Sequence, residues 1–122
     1  MATEEARHLI SLQAGQDLSA KQYFFVSVSS DGQIDPTGNG GAAAGVLQND
    51  PSAAGRAATV CIGGVTKVSV GATVAAGAAI ASDAAGECVP AASGDAILGT
   101  ALEAGTDGTI ISILFNPRGF AA

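Results

Sequence analysis

The chain has no tryptophan, one tyrosine and one histidine. His8 is its only side chain whose ordinary pKa lies near neutrality. No Ser-His-Asp or Cys-His relay can be assembled around a better-placed base. Cationic side chains are also scarce: five Lys and Arg stand against eleven Asp and Glu, a net charge of −6. Arg7, Lys21, Arg56, Lys67 and Arg118 are scattered, never two in a row. Nucleic-acid binding needs clustered Lys and Arg to neutralise phosphates, so it is not expected. The same sign argues against an anionic membrane surface. No apolar run approaches the roughly 18 residues of a membrane helix. The opening segment MATEEARHLISL has no apolar stretch of signal-peptide length. The expectation is a soluble chain made in a cytosol. Two cysteines, Cys61 and Cys88, match no zinc spacing and form no CxxC. They read first as small core residues, with a disulfide as the alternative. No cofactor and no metal are expected.

What the chain does have is glycine and alanine, at 43 of 122 positions. Little apolar area is available per residue, at roughly 25 cal/mol per Å² buried. Support from self-association or from a host surface is therefore expected. From Val60 onward one pattern recurs: a short β-branched run, a glycine, another short run. Glycines every six or so residues outweigh the helix propensity of the alanines. The fold class predicted is all-β: a small sandwich or barrel with short strands, Gly-rich turns and an extended N-terminal arm. One domain is expected, with an arm over 1–16, a β-domain over 17–116 and a tail over 117–122. Thr3-Glu4-Glu5 offers a helix cap. Leu9, Ile10 and Leu12 give less than one helical face, which favours an arm.

Tyr23 to Ser29 alternates as a strand, with Phe24, Val26 and Val28 on one face. Asp31-Gly32 offers a reversal, and Pro36 to Gly41 a flexible glycine-rich loop. Ala58 to Ile62 and Val65 to Val70 read as two strands broken at Gly63-Gly64. Asp83 to Gly86 and Gly105 to Gly108 read as hairpin turns. Pro117 keeps the tail out of a central strand. The predicted core is Phe24, Val26, Val28, Val46, Val60, Ile62, Val68, Val70, Val74, Ile80, Ile97, Ile111 and Ile113. The carboxylates of Asp31, Asp35, Asp50, Asp83, Asp95 and Asp107 read as turn residues bonding their own backbone. Nothing in their spacing asks for a glycosidase pair or a calcium loop.

The stretch VSVGATVAAGAAI resembles the barrel-sandwich of biotinyl and lipoyl carrier domains. Those domains present a lysine at a hairpin tip, whereas Lys67 lies within a strand pattern and the Asp83 to Gly86 turn has none. A second resemblance covers most of residues 17–117. The runs DLSAKQYFFVSVSSDGQ, GVLQNDPSAAGRAATVCIGGVTKVSVGATVAAGAAIASDAAGECVPA and ILGTALEAGTDGTIISILFNP, in that order, resemble the capsid decoration, or cement, proteins of tailed bacteriophages. That resemblance implies a virion protein without enzymatic activity on the outside of an expanded head. It implies the major capsid protein and further copies of itself, as a homotrimer, for partners. Other β-rich virion parts, such as a tail-tube or head-fibre domain, and a host carrier or ligand-binding sandwich are the alternatives.

Contact residues for such a role must be free of the core. Arg7, His8, Leu9, Ile10 and Leu12 at the start, and Arg118 and Phe120 at the end, meet that condition in the sequence. The arm either lies on the capsid or a neighbouring subunit, or pairs with the edge of its own sheet.

Overall fold

The computed structural model describes residues 5–122, with side chains from His8 onward. Among the described residues there are nine β-strands and no helix. They are β1 (Glu5–Ala14), β2 (Phe25–Val28), β3 (Gln33–Pro36), β4 (Gly45–Leu47), β5 (Ala57–Ser69), β6 (Ala79–Ser82), β7 (Cys88–Pro90), β8 (Gly99–Ala101) and β9 (Ile110–Phe115). The all-β expectation holds.

The pairings close two rings. In the first, β1 pairs with β3 in parallel, then β3 with β2, β2 with β4, β4 with β5, and β5 antiparallel with β1. The second runs from β5 through β9, β8 and β6 to β7. A bridge between Val70 and Cys88 returns it to the end of β5, where the Gly71 N–H donates to the Cys88 carbonyl at 2.9 Å. β5 is common to both rings. Closure of this kind leaves few unpaired strand edges.

Each ring has its own core. Leu18, Val26, Ile34, Leu47, Ala58 and Val60 fill the first, with Leu12 packed against them. Val68, Val70, Val74, Ile80, Leu98, Ile111, Ile113 and Phe115 fill the second. Neighbours in one strand go to different cores. Phe25 and Val46 belong to the second, Val26 and Leu47 to the first. The two cores therefore lie on opposite faces of the sheet. The rings of Phe25 and Phe115 meet at 6.2 Å between centroids, tilted by 37°.

On β5, however, Val60 and Val68 serve different cores although both are even-numbered. Regular alternation would put them on one face. A bulge resolves this. Leu9 pairs with Cys61 and His8 with Gly63, so Ile62 has no partner on β1. One extra residue reverses the alternation and bends the strand. Gly64 at φ +95° takes the backbone conformation that this requires. Gly63-Gly64 thus lies within one strand and does not separate two.

The bulge and the double-sided burial account for the departures from the predicted core. Nine of the thirteen residues are buried, Val26, Val46, Val60, Val68, Val70, Val74, Ile80, Ile111 and Ile113. Ile62 is the bulge residue and Val28 ends its strand, and both are exposed. Phe24 and Ile97 are half-buried. Phe25 takes the core place expected of Phe24, because β2 begins two residues late. A turn precedes it, closed by the Phe24 N–H donating to Lys21 at 3.0 Å, with Tyr23 at φ +68°. The 36–41 loop is also tighter than expected. Thr37 is buried, and the Gly40 N–H donates to Ser82 at 2.8 Å.

Two substitutions test this account. Ile113→Ala removes a fully buried side chain and should cost about 2–5 kcal/mol of unfolding free energy in urea. Gly64→Ala forces a Cβ into positive φ and should cost about 1–3 kcal/mol. An unchanged midpoint for Gly64→Ala would refute the bulge as described.

Candidate interaction surface

Four of the aspartates hold turns, whereas Asp35 lies on β3, not in a turn, and accepts the Gln16 side-chain amide at 2.8 Å. Asp31 Oδ1 accepts the Gln33 N–H at 3.0 Å, and Asp83 Oδ1 accepts the N–H groups of Ala85 and Glu87, each at 2.9 Å. Asp95 Oδ2 accepts the Ala92 N–H at 2.9 Å. The Ser29 hydroxyl, and then the Gln33 N–H, hold the Asp31 carboxyl below the usual range. The Ser19 side chain and N–H do the same to Asp17. Among the described residues no three His, Cys, Asp or Glu side chains gather as metal ligands, and no helix is long and apolar enough to cross a membrane. Cys61 and Cys88 are buried and form no disulfide, and the Cys61 thiol donates to the Gly63 carbonyl at 3.3 Å. Burial, then the Asp83 charge, pushes the Cys88 thiol up to about 12.

The contact candidates fall into two groups. The N-terminal group lies on β1, which pairs with β5 from Glu5–Val65 to Gln13–Ala57. The segment is therefore extended, and it pairs with its own sheet. The side chain of Arg7 lies outside the described residues. His8 is exposed and Leu9 is 45% exposed. Ile10 is exposed too, but it and Leu9 alternate between the faces of the strand. Leu12 is half-buried and packs on the first core. The bulge leaves Ile62 exposed as well, between the Leu9 and His8 partners. Sequence reasoning had put Ile62 in the core, and Gly63-Gly64 was the signal of the bulge that exposes it.

The C-terminal group lies at the far edge of the second ring. The Ile97 N–H donates to Gly119 at 2.8 Å, and the Ala121 N–H to Asp95 at 2.8 Å. These bonds pin the tail along residues 94–98. Arg118 donates to Thr100 Oγ1 at 3.1 Å. Phe120 is 72% exposed, the most exposed of the large apolar side chains. One register row links the two regions: Glu5 pairs with Val65, Val65 with Leu114, and Leu114 with Thr100. Three strand spacings of about 4.8 Å, about 14 Å along the sheet, lie between β1 and β8. The structure does not join them into one cluster. Leu102, just past the end of β8, and Ile110, the first residue of β9, are also exposed. No feature of the sequence had marked them.

A closed β-domain with apolar side chains on its outside fits a part that binds other proteins. The model of the phage cement protein family matches residues 7–115. The chain belongs to that family. It is thus a structural protein of the phage virion. No curated protein matches it. Among solved structures, the N base of the head fibre protein gp8.5 of bacteriophage phi29 is similar at a TM-score of 0.71. The identity is 16% over 96% of this chain and all of that one. At that identity the likeness concerns the fold. Membership of the cement family agrees with the order of motifs along the sequence, and its match begins within β1.

The burial of the thiols gives a test. In the folded protein at pH 8, neither Cys61 nor Cys88 should react with a maleimide over an hour. In denaturant both should react. Rapid labelling of the native chain would show that the second core opens.

Proposed function

We propose that the chain coats the outside of an expanded phage head and stabilises it by clamping neighbouring major capsid subunits, as a homotrimer and without catalysis. The family match over residues 7–115 carries this reading. The net charge of −6 suits an exterior part that avoids packaged DNA. The shell contact is formed by exposed side chains of β1, His8, Leu9 and Ile10, with Arg7 next to them in sequence and Ile62 from the bulge. Leu12 anchors the strand in the first core. Arg118 and Phe120 form the second contact group.

A second reading, the base of a head fibre, has the likeness to the phi29 fibre base behind it. A map of the intact head decides between them, since a fibre base carries density projecting beyond its own β-domain.

Removal of residues 1–12 is a poor test, because β1 closes the first ring. Leu9→Asp changes an exposed side chain instead. Wild-type chain should bind expanded, undecorated heads saturably, at a fixed copy number. Leu9→Asp should weaken that binding about tenfold or more, with the melting midpoint within a degree or two. Undiminished binding by Leu9→Asp would remove β1 from the shell contact.

A further inference from the structure

The chain has three asparagines, Asn39, Asn49 and Asn116. An asparagine is open to one spontaneous reaction, in which the backbone nitrogen of the next residue attacks its side-chain carbonyl carbon. A new C–N bond closes a succinimide ring, and the side-chain nitrogen leaves as ammonia. Water then opens the ring at either carbonyl and leaves aspartate or isoaspartate. The attack needs a backbone nitrogen that is uncrowded and can lose its proton. Asn116 precedes Pro117, whose nitrogen carries none. Asn49 has its side chain held at both ends: Nδ2 donates to the Ala57 carbonyl at 3.1 Å, and Oδ1 accepts the Thr59 N–H at 2.9 Å. Asn39 is exposed, and the residue after it is glycine.

The fold withholds the nitrogen that Asn39 needs. Asn39 and Gly40 are the central residues of a turn, closed by the Gly41 N–H donating to Gly38 at 3.0 Å, with Gly40 at φ +67°. The Gly40 N–H donates to the Ser82 carbonyl at 2.8 Å, and the Gly40 carbonyl accepts the Ala96 N–H at 3.0 Å. Gly40 is thus stitched between the end of β6 and the 94–98 segment. Ser82 is fully buried, and its hydroxyl reaches back to the Thr37 carbonyl at 3.3 Å. The Asp95 side chain lies against Gly40. The two Asp-Gly steps, which close the same ring with loss of water, carry the same lock. The Gly32 N–H donates to Ser29 and the Gly108 N–H to Val70, both at 2.9 Å.

We infer that Asn39 is a deamidation site that the folded chain holds shut by docking the 37–41 loop on Ser82, and that is released when this loop leaves the second ring. The inference does not depend on the virion reading. The chemistry makes the release a one-way step. Isoaspartate inserts a methylene into the backbone ahead of Gly40 and moves its N–H off the Ser82 carbonyl. Gly40 is bonded on both sides and has Asp95 against it, so the loop has no slack to absorb the added length. The isoaspartyl loop does not redock, and a chain left open for long is barred from refolding.

Full-length chain and a free peptide spanning residues 35–43 are held at mildly alkaline pH, each with and without guanidinium. Conversion at Asn39 is followed by peptide mass spectrometry. Without denaturant, the native chain should convert at least about tenfold more slowly than the peptide. In guanidinium the two should match. Ser82→Ala releases Thr37 but keeps the backbone acceptor, and should speed native conversion about threefold or more. Wild-type chain aged in guanidinium should lose refolding yield in step with Asn39 conversion. Asn39→Gln, whose longer side chain closes a ring far more slowly, should keep that yield. Native conversion at the peptide's rate overturns the inference, and so does a native rate untouched by Ser82→Ala. Full refolding of converted wild-type chain, or equal loss by Asn39→Gln, overturns the one-way step.

Discussion

The double use of β5 is the constraint on which the rest depends. One strand borders both rings, and their cores lie on opposite faces of the sheet. A strand with strict alternation cannot fill two such cores from even-numbered positions. The extra residue at Ile62 and the positive φ of Gly64 supply the reversal. Every later pairing inherits it. Thr66, Val68 and Val70 face inward only after the bulge, and they set the register of β9 through Ile113 and Ile111. The same bulge leaves Ile62 exposed. A folding device and an exposed apolar side chain thus share one origin.

Small side chains follow from this geometry. Narrow rings leave little room inside, and backbones come close where strands cross. A Cβ on Gly99 would run into the carbonyl of Leu114, and one on Gly45 into that of Cys61. Close approach replaces bulk as the way the interior is filled, and large side chains are few. Phe25, from a strand of the first ring, and Phe115 meet in the second core.

Much of the architecture was legible because turn chemistry is local. The reversals at Asp31-Gly32, Asp83 to Gly86 and Gly105 to Gly108 depend on residues within four positions of one another, and each connects the strands expected. Ring closure was not legible, because β1 meets β5 through contacts far apart in sequence. The burial of Phe25 in place of Phe24 depended on a turn with a tyrosine at positive φ, a place where glycine is the usual sign. Ile62 was misread because a bulge leaves alternation intact on either side and changes only its phase. For the interaction surface, Phe120 was legible as an apolar residue in a proline-bounded tail. Leu102 and Ile110 were not, since an exposed strand residue reads like a buried one when the sheet has two apolar faces.

The pairing of β1 with β5 also affects how the molecule is made. During synthesis β1 emerges early, but its antiparallel partners, from Ala57 to Val65, come much later. Until then Leu12 and Ala14 have no core to enter. Contacts of such separation slow folding, because a long loop must close before they form. The nascent chain therefore passes through a stage in which the first ring is open and its strand edges are free to meet those of neighbouring chains. The chain is most exposed to misassembly before it is finished, and the strand that seals its first ring waits for a partner made more than forty residues later.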